Sequence, residues 1–410
     1  MSDSVTYRAS WIVPVSSPPI RNGYVTVRNK AIERIGAHPP DNTGAVDLGE
    51  IALIPGLINA HTHLEFSDLE SPIGSSGMEF PEWIRAVISH RLSASNSAQQ
   101  KLDAIRGGLT ESKSCGVVAI GEIATDPILE SAYENAGLDL TLFVEVLGRD
   151  PEQVGPKLDF LVQSLDSIAS SQTGRGAVSP HAPYSVHRDL LRGAIATADS
   201  RRLTVAMHLA ESVPELQLLA SGDGGFADLF RQLGVWHSDD NHLGGRPLDH
   251  LVELARLKQN CLIVHGNYLT LDELDFIADS GGHMSVVYCP RTHAFFKHAA
   301  YPLSEMLERK INVAVGTDSR ASNPDLCVMS ELRTIRKCFP RLSPREILAM
   351  GTLNGARALG IEEGFGSLES GRNAEMNVCE LPEASIVEGV EAAILDEPTS
   401  LTPLSSYISK

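Results

Sequence analysis

Two histidines one residue apart, His61 and His63, close the apolar run in "IALIPGLINAHTHLEFS", residues 51–67. On a strand, side chains at i and i+2 share one face, so both imidazoles can reach a single metal ion. Glu65 continues that face outward. Further along, "SPHAPYS" carries His181, "MHLAES" carries His208 and Glu211, "IVHGN" carries His265 and "VGTDSRASN" carries Asp318. Zinc sits about 2.0–2.1 Å from a histidine nitrogen, and a catalytic zinc keeps a position for water. His61, His63, His208 and Asp318 would form a nitrogen-rich set with one carboxylate. That set suits one Zn2+, with Fe2+ as the alternative, and argues against Mg2+ or Ca2+. No lysine ends the run "GAVSPHAPYS", so a bridging carbamate with a second ion is not expected.

Glu211 lies three residues beyond His208, where a carboxylate can take a proton from an ion-activated water and pass it to a substrate. His265 could hold or polarise the reacting centre. Each residue also has an ordinary structural explanation. A single histidine at a strand end is usually just hydrogen-bonded, and an acid at a helix start is favoured by the helix dipole. What those explanations leave unaccounted for is the recurrence of His61, His63, Glu122, Glu145, His181, His208, His265 and Asp318 at successive strand ends.

The elements that must position them are eight short apolar runs alternating with amphipathic helical stretches between about residues 55 and 360. The runs are "GLINAHTH", "GVVAIGEI", "LTLFVEV", "GAVSPHA", "LTVAMHLAE", "CLIVHGN", "HMSVVYCP" and "INVAVGTDS". Eight such repeats predict an α/β fold, a (β/α)8 TIM barrel whose strand ends converge on one mouth. The predicted organisation is an N-terminal part of a small β-sandwich at 1–55, the barrel at 56–357, and the sandwich's C-terminal part with a tail at 358–410. The long connection at 212–255 is expected to hold a helix and to cover the mouth. The tail has one helical run, "VEGVEAAILDE".

Composition narrows the partners. The net charge of −18 repels nucleic-acid backbones and anionic membranes. No apolar stretch reaches the roughly 18 residues of a membrane helix, and the start shows no export signal. The six scattered cysteines read as reduced, mostly buried thiols. The expectation is a cytoplasmic enzyme with a small-molecule substrate and no nucleic-acid or membrane partner, a homodimer being the assembly considered.

"PGLINAHTHLE", "MHLAES", "VHGNYL" and "AVGTDSRASN" together resemble the amidohydrolase superfamily, in its mononuclear branch of aminopurine, pyrimidine and s-triazine deaminases and chlorohydrolases. The resemblance implies that His61, His63, His208 and Asp318 bind the metal, that Glu211 shuttles protons and that His265 contacts the reacting group. It also implies deamination of an amino-substituted N-heterocycle by metal-bound hydroxide, with Asp318 assisting. The alternatives are dechlorination or cyclic-amide hydrolysis of a related ring and, from another class, an inactive barrel serving as a scaffold. "HTHLEFS" with "FPEWIRAVISHR" is similar to aminodeoxyfutalosine deaminases, which makes Glu65, Glu82 and Trp83 candidate substrate contacts. Arg149, His181, His265, Arg291 and Ser322 are further candidates. The chain departs from the family at "CPRTHAFFKH", which places Arg291, His293 and His298 near the mouth; His293 and His298 are either substrate contacts or ordinary loop residues.

Overall fold

The computed structural model describes residues 4–39, 44–93, 97–125, 131–171, 173–236, 245–381, 389–396 and 401–409. The start of the opening segment, part of the 212–255 connection and both ends of the 387–397 run fall outside them.

Eight strands form one parallel sheet, each hydrogen-bonded to the next in chain order. They are β6 (Leu57–Thr62), β7 (Val117–Ala124), β8 (Asp139–Val146), β9 (Arg175–Pro180), β10 (Val205–Leu209), β11 (Cys261–His265), β12 (Met284–Tyr288) and β13 (Asn312–Val315). β6, β10, β11 and β12 are buried at every residue. That is why they read as unbroken apolar runs rather than alternating ones: both faces of a parallel sheet are covered. One face packs against the helices. The other fills the barrel with Ile58, Ala119, Phe143, Ala177, Ala206 and Val264.

The circle closes between its first and last strands. Thr62 and Asp318 form a parallel bridge, and the amides of Thr317 and Asp318 both donate to the His61 carbonyl at 3.1 Å. Asn59 and Thr317 add side-chain bonds of 2.7 and 3.1 Å across the seam. Gly316 is required there, since a Cβ on it would lie 2.7 Å from the His61 carbonyl oxygen.

A second, mixed sheet draws on both chain ends. Its N-terminal strands are β1 (Ser4–Ile12), β2 (Ile20–Arg28), β3 (Ala31–Gly36), β4 (Ala45–Asp47) and β5 (Ile51–Pro55). β14 (Met376–Glu380) and β15 (Leu401–Pro403) join it from the C-terminal side, β14 running antiparallel to β5. The tail helix spans Val390–Leu395.

All six cysteines are free, but burial is less general than expected. Cys261, Cys289 and Cys379 are buried, Cys115 and Cys327 are half-buried, and Cys338 is exposed. Cys338 ends the helix Val328–Cys338, on its solvent side. Among the described residues no helix is long and apolar enough to cross a membrane.

Candidate active site

The C-terminal ends of the strands bring the expected residues together. His61 lies in β6 and His63 just past it, His208 in β10, His265 at the end of β11, and Asp318 three residues after β13. All are buried. Ala210, His265 and Asp318 have positive φ angles of 54°, 69° and 54°, unusual for residues with side chains. The surroundings hold these bends in place. Tyr268 N donates to the Ala210 carbonyl at 3.0 Å, and Tyr301 Oη donates to the His265 carbonyl at 2.9 Å. Such backbone strain gathers where a fold must aim functional groups.

Asp318 Oδ1 lies 3.6 Å from Nε2 of both His61 and His63. Its other oxygen accepts from Ser322 Oγ at 2.7 Å. His208 Nδ1 donates to the His181 carbonyl at 3.0 Å, which leaves Nε2 as its lone-pair nitrogen. The donor atoms of His61, His63 and Asp318 lie within 4.8 Å of one another, as do those of His61, His208 and His265. The two sets share His61, whose Nε2 is buried without a hydrogen-bond partner. Burial, followed by neighbouring imidazoles, holds His63 and His208 well below the ordinary histidine pKa. They are therefore neutral, the form that ligates metal. An unpartnered buried nitrogen inside a His/Asp donor set fits a single zinc-like ion.

Glu211 sits beside this set, its Oε1 3.2 Å from His265 Nε2. Burial, aided by the charges of Asp318 and Glu215, raises its pKa well above the usual carboxylate value. A raised pKa is what a residue needs to both accept and release a proton near neutrality. Its backbone is pinned: the amides of Ala210 and Glu211 donate to Glu215 at 2.9 and 2.8 Å. Asn267 Nδ2 donates to the Glu211 carbonyl at 2.8 Å. Sequence reasoning missed Glu215, although Ser212 and Glu215 have the S-x-x-E spacing of a helix start, and Ser212 Oγ does accept from Glu215 N.

A cavity of about 260 Å³ opens above these groups. His63, His181, His208, Glu211, His265 and Asp318 line its polar floor, and Phe66, Phe80, Trp83 and Phe230 form much of its apolar wall. Phe230, Leu233 and Val235 come from the long connection after β10, so its described part contributes to the cavity's lining. Of the candidate substrate contacts, Trp83, Arg149, His181 and His265 line the cavity.

Three candidates are engaged elsewhere. Glu65 is ion-paired with Arg91 and accepts from Thr125 at 3.0 Å. Arg291 forms a two-point pair with Asp325 at 2.6 and 2.8 Å. Ser322 reaches the site only through Asp318. Glu82 is exposed, and His293 and His298 lie off the cavity, His298 against Tyr268 Oη at 3.1 Å. Arg91, which sequence reasoning passed over, does line the cavity, held there by Glu65. The arginine was visible in "ISHR", but the ion pair that turns it inward was not.

The amidohydrolase family model matches residues 52–402. A 5-methylthioadenosine/S-adenosylhomocysteine deaminase of Moorella thermoacetica is 26% identical over 386 residues, spanning 89% of this chain and 83% of that protein. The crystal structure of the Helicobacter pylori aminofutalosine deaminase superposes with a TM-score of 0.81 at 23% identity, covering 96% of this chain and 95% of that one. A zinc-bound adenosine deaminase from Xanthomonas campestris gives 0.77 at 22% identity, covering 95% and 88%. With its motifs, its barrel and a family match that spans most of its length, the chain belongs to the amidohydrolase family.

Proposed function

We propose that this protein is a metal-dependent hydrolase that removes ammonia from an amino-substituted N-heterocycle of the aminopurine nucleoside type. The observation that carries the reading is the Glu211 carboxyl. It is buried, its pKa is raised, and it stands 3.2 Å from His265 beside a His/Asp donor set at the floor of an apolar cavity. The activities named for similar proteins, on 5-methylthioadenosine and aminofutalosine, support the substrate class.

His61, His63, His208 and Asp318 would hold the ion, which we take to be zinc. When bound, it supplies a water activated for attack at neutral pH. The protein's own groups do the rest. Glu211 takes one proton of the water and delivers it to the ring nitrogen, and the water's second proton passes to the amino group, which leaves as ammonia while the ring carbon becomes a carbonyl. His265, anchored through its carbonyl to Tyr301, orients the reacting carbon. Ser322 holds Asp318 through Oδ2, leaving Oδ1 directed at the histidines. Phe66, Phe80 and Trp83 exclude bulk water and stack against a flat ring.

The test is ammonia release by the zinc-loaded protein from adenosine, 5-methylthioadenosine, aminodeoxyfutalosine, aminopyrimidines and triazines. Release from the nucleosides supports the reading. Chloride or a ring-opened acid as the sole product refutes it.

A further inference from the structure

Buried glutamates ring the barrel mouth, and most have conventional partners. Glu122 accepts from Leu64 N at 3.2 and 3.1 Å and from Tyr133 Oη at 3.2 Å. Glu215 accepts from two backbone amides. Glu331 accepts from Asn323 Nδ2 at 2.7 Å and from Arg291 N at 2.9 Å. Each of these carboxyls holds a loop in place. Glu145 differs. Its side chain is only 1% exposed, yet both carboxyl oxygens lack a hydrogen-bond partner.

Its position explains what it can reach. Glu145 lies two residues after Phe143, which packs inside the barrel, so the two share the inward face. It pairs in register with Ser179 on β9, two residues before His181. His181 Nε2 faces it across 4.0 Å. The other nitrogen of that ring, Nδ1, lies 2.6 Å from Ser185 Oγ. The backbone carbonyl of His181 accepts from His208, a candidate metal ligand. His181 and Ser185 both line the cavity, as does Arg91. Burial raises the Glu145 carboxyl to about 7, against the opposing pull of the Arg91 charge. A buried acid without a donor destabilises the fold, and such groups persist at functional sites.

We propose that Glu145 is a positioning residue: when substrate fills the cavity, its carboxyl accepts the Nε2 hydrogen of His181 and fixes that ring's tautomer and tilt. A movement of about 1 Å brings 4.0 Å to hydrogen-bond length. Nδ1, then without a hydrogen, accepts from the Ser185 hydroxyl. The ring is held at both nitrogens, and the cavity wall becomes rigid on the side that meets the substrate. The proposal rests on the deaminase reading above for its substrate.

The test compares wild type, Glu145→Leu and Glu145→Gln as full-length, zinc-loaded proteins. Leucine fills the space without an acceptor; glutamine keeps an acceptor oxygen. Glu145→Leu should keep its metal, melt no lower than wild type, and raise KM for 5-methylthioadenosine about tenfold or more, with kcat within about threefold. Glu145→Gln should stay within about threefold of the wild-type KM. A wild-type KM for Glu145→Leu overturns the proposal. So does a lower Tm in that variant, which would make Glu145 an ordinary structural acid. Absence of ammonia release by the wild type refutes the deaminase reading separately, and the order of melting temperatures then decides on Glu145 alone.

Discussion

The ring of His208 is tied to the backbone of His181, Nδ1 to carbonyl oxygen at 3.0 Å, across the boundary between two adjacent strands. One bond thus fixes which nitrogen of a candidate ligand faces the site, and it joins that ligand to a residue of the cavity wall. A second contact, Glu211 Oε1 to His265 Nε2 at 3.2 Å, joins the buried acid to the same group of imidazoles.

Loss of one imidazole should open the donor set. His61→Ala and His63→Ala should each lower bound metal, by elemental analysis of zinc-grown protein, from about one ion per chain, with activity falling in proportion. Two ions per chain at full wild-type activity, or variants that keep both metal and rate, would refute the single-ion assignment.

The seam where the barrel closes makes a sharper structural prediction. Gly316→Ala puts a methyl group 2.7 Å from the His61 carbonyl oxygen, which is backbone and cannot swing away. We expect a lower Tm and reduced metal retention together, since His61 must move. Equal Tm and metal content would show that the seam relaxes freely.

Arg149 lies with its guanidinium 4.4 Å from the Phe230 ring centre and donates to the Tyr184 carbonyl, at the edge of the cavity. Arg149→Met keeps much of the packing and removes the charge. KM should rise about tenfold or more with metal content unchanged. An unchanged KM for every substrate tested would remove Arg149 from the binding surface.

Burial pushes the Glu331 carboxyl up to about 8 despite the nearby Arg291 charge. The unfolded carboxyl titrates near its ordinary value, so between about pH 4.5 and 8 the folded state binds more protons. Stability contributed by this group therefore falls as pH rises through that window. In Glu331→Gln this slope disappears. The Tm of the variant minus that of wild type should be more positive at about pH 8.5 than at about pH 5. A difference independent of pH contradicts the shift.

Much of this was legible in the sequence because the chemistry follows short periodicities. His61 and His63 share a face by strand geometry alone. The eight apolar runs read as strands because a parallel sheet is buried on both sides. What stayed hidden depends on partners far apart in the chain. Glu65 looked like a substrate contact, yet Arg91 claims it, and Asp325 claims Arg291. Neither pairing leaves a periodic signal. The contact of Gly316 with His61 joins residues at opposite ends of the barrel sequence, and only closure of the circle creates it. The bends at Ala210, His265 and Asp318 were equally invisible. His and Asp take a positive φ more readily than most residues, but nothing in the sequence marks these two among the chain's other histidines and aspartates, and alanine rarely does so.

The most direct test of the account is Glu211→Gln. The amide keeps the size and reach of the carboxyl but cannot carry a proton, and the backbone bonds to Glu215 and Asn267 do not involve the changed group. Metal content, KM and kcat would be measured on the zinc-loaded protein with its preferred nucleoside. The account predicts that the variant folds, keeps its metal, shows a similar KM, and loses at least about 100-fold in kcat. A wild-type kcat would contradict it by removing Glu211 from the chemistry, and loss of metal with activity would contradict it by making Glu211 a ligand.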